Sequence, residues 1–308
     1  MTIVSQLTTS FYVDKLQVYA DHDILKFTAL PKILKEHKIL IKIVNDTGKE
    51  FYCHNCEVTL PLIIRLNKLD DGEYYLQFYY QSSSDSSFYI GLNASKGLTL
   101  YISKGKIYIK PPVNFENNKR FFEKLKSDYF QKLAYKSPTT IYHSTMPEIV
   151  DYARRITKYS HTSYQKILAI HDWVADNLFY DMDSLMDGSY ALKKYEPLTL
   201  LATRRTICRG YSKLAVTLLR AIGIPAFDVL CVADGEGECQ EDEANHVITF
   251  ALDRNRWIIM DPTWDSVNIY KDGKFSKKTA VNVMHQYFDT TIAFISYTHR
   301  FIKSSKTV

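Results

Sequence analysis

The stretch "RRTICRGYSKLAVTLLRAIGIPAF", residues 204–227, decides how this chain reads. Its apolar residues Ile207, Tyr211, Leu214, Ala215, Leu218, Leu219 and Ile222 recur at three and four positions, which predicts an amphipathic helix from about Ile207 to Ile222. Thr206 stands where an N-cap belongs, Gly223 where a left-handed residue closes a helix, and Pro225 just beyond. Cys208 then falls in the first turn, where backbone N–H groups lack intrahelical acceptors and the helix dipole favours an anion. Arg209 adds nearby positive charge, and Gly210 leaves the helix start bare where another backbone or a substrate can approach. Such a setting favours a thiolate over a buried structural thiol.

A thiolate attacking an amide needs a base to move its proton, and an imidazole base needs an acceptor that fixes its tautomer. Downstream of the helix, "PAFDVLCVA" (225–233), "NHVITFAL" (245–252) and "RWIIMDPTW" (256–264) are rich in β-branched and aromatic residues and read as antiparallel strands. His246 opens the second and Asp261 closes the third, so a hairpin over "LDRNR" brings the two side by side against the Cys208 helix. Upstream, "MPEIVDYARRITKY" (146–159) and "SYQKILAIHDWVADNLFY" (163–180) read as two more helices, the first with Pro147 in its opening turn. His171 lies on an apolar stripe and reads as a core histidine, whereas Tyr180, ending the second helix, is a weak candidate for an oxyanion or substrate contact. The backbone N–H of Cys208 is the safer donor.

The segments "CRGYSKLAVTLLRAIGIPA", "NHVITFALDRNRWIIMDPTWD" and "AIHDWVADNLFYD" together resemble the bacterial transglutaminase-like family over about residues 140–270. The resemblance implies a papain-like fold with Cys208 as nucleophile, His246 as base and Asp261 as orienter. Its chemistry spans glutamine–lysine crosslinking, deamidation, peptide hydrolysis and removal of glycans from asparagine, all begun by thiolate attack on an amide. A cysteine acyltransferase acting by crosslinking or deamidation is the leading expectation, with a cysteine protease or amidase second. A binding or scaffold protein that keeps the fold is the third.

Residues 1–112 read differently. The runs "ILIKIV" (39–44), "YYLQFYY" (74–80), "LTLYI" (98–102) and "KIYIK" (106–110) alternate, and "NDTG", "LDDG" and "SKG" separate them as turns. Asp70, Gly72 and Tyr74 have the D-x-G-x-Y spacing of the tyrosine corner in immunoglobulin-like sandwiches, so an all-β sandwich is expected. Residues 113–138, with "FENNKRFFEKLKSDYFQKLAYK", form a helical connector, and 139–308 the α+β catalytic domain, its last stretch from Lys271 being terminal packing.

The 308 residues, 46% hydrophobic, suffice for about two domains. A net charge of +5 without a basic run argues against nucleic acid as partner, and no segment is apolar enough to span a bilayer. Without a signal-like N-terminus the chain reads as cytoplasmic, or as secreted if a leader has been removed. Five scattered cysteines do not make a disulfide framework. "CHNC" (53–56) has no second ligand pair near it and reads as an edge-strand pair, Cys231 reads as buried strand and Cys239 as exposed loop, so neither metal nor cofactor is expected. Six acids in "DGEGECQEDE" (234–243) lead into the His246 strand, where they are expected to overhang the cleft and draw a basic protein or peptide substrate.

Overall fold

A computed structural model describes residues 17–30, 37–57, 59–66, 69–81, 89–91, 98–111, 114–127, 134–192, 195–234, 243–277 and 283–302. Glu236, Glu238, Cys239, Glu241 and Asp242, and the side chain of Cys56, lie outside these described residues. The chain forms two compact units. The first comprises Met1–Phe122, Val232–Glu243 and Thr290–Phe301, and the second Glu123–Cys231, Ala244–Asp289 and Ile302–Val308.

In the N-terminal part of the first unit the described residues form nine strands in chain order: β1 (Gln17–Asp21), β2 (Ile24–Ala29), β3 (Ile39–Val44), β4 (Glu50–Cys56), β5 (Leu62–Arg65), β6 (Gly72–Gln81), β7 (Tyr89–Gly91), β8 (Leu98–Ser103) and β9 (Lys106–Ile109). They form two antiparallel sheets, β1-β2-β5 and β4-β3-β6-β8-β9, with β7 also on β6. The alternation of "ILIKIV" is realised directly, since Ile39, Ile41 and Ile43 are fully buried. Phe27 of β2 and Phe78 of β6 meet edge to face at 5.4 Å, so the two sheets share one apolar layer. Tyr74 donates its hydroxyl to the Asp70 carbonyl at 3.1 Å, the bond a tyrosine corner makes. Cys53 is exposed and sits on the edge strand β4.

Helix α1 (Phe115–Ser127) starts in this unit. The Asn118 carboxamide donates to the His299 carbonyl and the Ser296 hydroxyl and accepts from the Phe301 amide at 2.9 Å, and Phe121 packs on Phe301. The segment expected to be terminal packing therefore carries structure of its own.

In the second unit the order is α2 (Pro147–Ile156), α3 (Ser163–Asn177), β10 (Phe179–Asp181), α4 (Met182–Met186), α5 (Pro197–Thr203), β11 (Arg205–Thr206), α6 (Cys208–Ala221), β12 (Ala226–Ala233), β13 (His246–Asp253), β14 (Arg256–Met260), β15 (Ile269–Lys271) and β16 (Lys274–Ser276); α7 (Ile292–Ile295) and β17 (His299–Phe301) follow in the first unit. Thr162 and Gln165 close a reciprocal capping box at the start of α3. At the far end of α6, the Ile224 N–H reaches the Leu219 carbonyl and the Gly223 N–H that of Arg220, with Gly223 at φ +79°, a complete Schellman closure.

α6 is not amphipathic as its spacing predicts. Every residue from Gly210 to Arg220 is buried, because α2, α3, α5 and β13 all pack on it. Its polar side chains are satisfied inside: Ser212 donates to the Val247 carbonyl and accepts from Thr249, Thr217 donates to the Lys213 carbonyl, and Arg220 donates to the Ala226 and Ser137 carbonyls. Leu214, Leu218 and Leu219, fully buried, each contribute on the order of 2 kcal/mol. Among the described residues no helix is long and apolar enough to cross a membrane, which leaves β-barrels unaddressed.

Candidate active site

Cys208 is the first residue of α6 and 7% exposed. Ile207, with extended backbone, is the N-cap residue and makes no side-chain cap bond. Thr206, expected in that role, belongs instead to β11, which pairs in parallel with β10. Its hydroxyl fills the space beside Gly210: a Cβ there would lie 1.9 Å from Thr206 Oγ1 and 2.8 Å from Thr206 Cβ. The approach that Gly210 permits is therefore that of its own chain rather than of a substrate. Arg209 is exposed.

His246 begins β13, directly opposite Cys231 of β12, and Asp261 follows β14 across the hairpin. The turn is two residues, Arg254 and Asn255, with Arg254 at φ +56°. His246 Nε2 lies 2.7 Å from Asp261 Oδ2, both groups being buried. The other carboxylate oxygen, Oδ1, accepts the N–H groups of Thr263 at 3.0 Å and Trp264 at 3.3 Å. With Nε2 held by Asp261, the remaining ring nitrogen, Nδ1, is left for the Cys208 sulfur, whose hydrogen bond with the ring favours its protonated form. Burial works against charge on His246, but the Asp261 carboxylate and the hydrogen bonds of the ring to Asp261 and Cys208 raise its pKa to about 10.

Tyr180, expected to end a helix, lies on β10, because α3 stops at Asn177 with Leu178 as its extended cap. In the parallel register it faces Thr206, two residues before Cys208. Burial first, then the neighbouring Cys208 and Asp261, push its hydroxyl up to about 12, so it stays protonated and able to donate. Burial likewise holds Tyr195 at about 12, Cys208 being among its electrostatic neighbours.

Two residues went unread in the sequence. The Trp264 ring stands 5.7 Å from the His246 ring, and its N–H helps hold Asp261. Asp265, fully buried, accepts the Tyr287 N–H on both oxygens and lies 3.1 Å from His171 Nε2. Its own N–H donates to the Asp261 carbonyl. The available signal was adjacency: Trp264 and Asp265 complete the same "DPTWD" that holds Asp261. Core histidine His171 is fully buried, with a carboxylate beside each ring nitrogen, Asp172 Oδ1 at 3.0 Å from Nδ1 and Asp265 Oδ2 at 3.1 Å from Nε2.

Residues 150–262 match the Transglutaminase-like superfamily. Over 141 residues the chain is 23% identical to the kyphoscoliosis peptidase of Mus musculus and 24% to that of Homo sapiens. Each match covers 44% of this chain, and it spans about a fifth, 21%, of those relatives' length. Among solved structures, a cysteine protease candidate from Cytophaga hutchinsonii is similar with 23% identity and a TM-score of 0.36, over 43% of this chain and 42% of that one.

Proposed function

With residues 150–262 forming a transglutaminase-like core, we propose that the chain is a thiol-dependent enzyme of acyl transfer on amides, acting through Cys208, His246 and Asp261. The observation that carries this reading is the 2.7 Å contact of His246 with Asp261 in a hairpin packed on the helix that Cys208 begins.

In this reading the resting proton sits on His246 and the sulfur attacks the amide carbon as a thiolate. The carbonyl oxygen becomes an oxyanion, received by the Cys208 N–H at the helix start, where amides lack intrahelical partners, with Tyr180 as a second donor. His246 gives its proton to the leaving nitrogen, the C–N bond breaks, and a thioester remains on Cys208. Water or an amine then attacks the thioester, His246 takes its proton, and the thiolate leaves. Asp261 holds the ring throughout and stabilises the imidazolium.

Transfer to an amine gives crosslinking and transfer to water gives deamidation. Attack on a backbone amide gives proteolysis, a second reading favoured by the peptidase name of the matched relatives. Mass spectrometry of a glutamine-containing peptide, incubated with and without a primary amine, separates these outcomes. A mass gain equal to amine minus ammonia marks transfer, about one dalton deamidation, and fragments proteolysis. No product in any arm, with the Cys208→Ala protein giving the same spectra, refutes an enzyme of this class and leaves the scaffold reading.

The domain boundaries at about 112 and 138, and an immunoglobulin-like identity for the all-β part, belong to the same proposal. The Tyr74–Asp70 bond and the paired sheets support the latter. Its substrate is a protein or peptide, with basic character favoured by the acids of 234–243.

A further inference from the structure

Away from Cys208 and His246, the side chains of His171, Asp172 and His285 converge. Asp172 Oδ1 is 3.0 Å from His171 Nδ1 and 2.7 Å from His285 Nε2, and the three ligand-capable atoms lie within 4.8 Å of one another. Two imidazoles and a carboxylate form a donor set suited to divalent first-row transition ions.

The surroundings distinguish this cluster from a chance surface group. His171 is fully buried and its outward nitrogen, Nδ1, faces the cluster, while its other nitrogen lies 3.1 Å from the buried Asp265 carboxylate. Asp265 is in turn fixed by the Tyr287 N–H. A carboxylate behind a ligating imidazole orients it and raises its basicity, the usual second layer of a metal site. The Phe288 ring, 4.9 Å from the His171 ring, walls one side. Asp172 and His285 keep about a third of their side-chain surface exposed, at 37% and 32%, which gives an ion a way in. Tetrahedral zinc bonds of ~2.0 Å set ligand atoms ~3.3 Å apart, against 3.0 and 2.7 Å for the two pairs with Asp172 and at most 4.8 Å for the pair of imidazoles, so side-chain rotation alone is asked to bring the three round an ion.

We propose that His171 Nδ1, Asp172 Oδ1 and His285 Nε2 form a binding site for one divalent transition-metal ion of the zinc class, with its remaining position open to water. Binding replaces the protons now shared among the three groups, and these leave to the buffer.

Zn²⁺ alone is the probe, titrated against a chromophoric chelator into the full-length Cys208→Ser protein, so that the thiol at the helix start does not compete. The expected result is one equivalent bound, weakened at least 100-fold by His285→Ala and by Asp172→Asn and at least tenfold by Asp265→Asn. Because His285 and Asp172 are partly exposed, those two variants should keep the wild-type circular dichroism; His285→Ala is also read by thermal shift, where Zn²⁺ should raise the melting temperature of the parent and not of the variant. Absence of a stoichiometric site, or one equivalent whose affinity survives both His285→Ala and Asp172→Asn, overturns the assignment and leaves the three residues a hydrogen-bonded cluster.

Discussion

Gly210 has no room for a side chain because Thr206 occupies it, at 1.9 Å from where a Cβ would stand. The clash involves Thr206 Cβ as well, at 2.8 Å, so no rotamer of threonine relieves it. Since Thr206 directly precedes the N-cap of α6, any shift there moves the helix start and Cys208 with it. Gly210→Ala should therefore cost roughly 1–3 kcal/mol of stability and lower kcat/KM at least tenfold. Thr206→Gly with Gly210→Ala should be more stable and more active than the two single effects sum to, by a coupling of about 1 kcal/mol in urea titrations. Additive behaviour would mean that the contact does not set the helix start.

This contact marks where the sequence stops being legible. The helix of 208–221 was readable from spacing and from Gly223, which is at φ +79°. Burial on all sides was not, because Ser212, Lys213, Thr217 and Arg220 look polar until their partners are known. The hairpin of His246 and Asp261 followed from two apolar runs and a short polar turn. The sheet β11-β10-β15-β16 did not, since strands of two or three residues carry no period. Nor could Asp265 be matched to His171, 94 positions away in chain, as pairing at that separation is decided by packing alone.

The raised pKa of His246 makes a prediction about stability. Its folded value of about 10 lies above the ordinary 6.5, so the stabilisation is fully present below about 6.5 and is lost as pH rises through about 10. Unfolding free energies from urea titrations should fall across that window by an amount on the order of a few kcal/mol, and His246→Gln should flatten the slope. An unchanged slope in the variant would assign it to other groups.

Thiol reactivity can be read against exposure. Cys53 is exposed, Cys208 is 7% exposed and Cys231 fully buried, with burial holding the Cys231 thiol well above its ordinary value. Access alone ranks Cys53 first. If Cys208 is held as the partner of an imidazolium, iodoacetamide at pH 6 should label Cys208 fastest and Cys231 slowest, and His246→Ala should drop Cys208 below Cys53. Peptide mapping of adducts at short times decides between the rankings.

Charge selection follows from the acids of 234–243. A single-sign cluster enriches cationic ligands, and screening acts over about 8 Å at physiological ionic strength. Matched basic peptides should show higher kcat/KM than acidic ones at low salt, and the ratio should fall as salt rises. Replacing Glu241, Asp242 and Glu243 by their amides should reduce it; a ratio indifferent to both changes would place substrate recognition elsewhere.

Asp261 offers the sharpest test of the proposed mechanism, because its two oxygens have separate tasks. Oδ1 accepts the Thr263 and Trp264 N–H groups, and Oδ2 meets His246 Nε2. In Asp261→Asn the amide oxygen can keep the first pair of bonds, so the local turn survives. The amide nitrogen is then presented to Nε2 as a donor, which obliges Nε2 to accept and moves the ring proton to Nδ1, the nitrogen that has to receive the thiol proton. The wrong tautomer and the lost counter-charge should together reduce kcat by about 10²-fold or more, with the circular dichroism unchanged. The same variant should lose the acid-stabilised form of His246, so its iodoacetamide labelling at Cys208 should slow in parallel with kcat. A full-rate Asp261→Asn enzyme would show that another acceptor orients His246, and slow labelling with normal turnover would separate the resting ion pair from the chemistry.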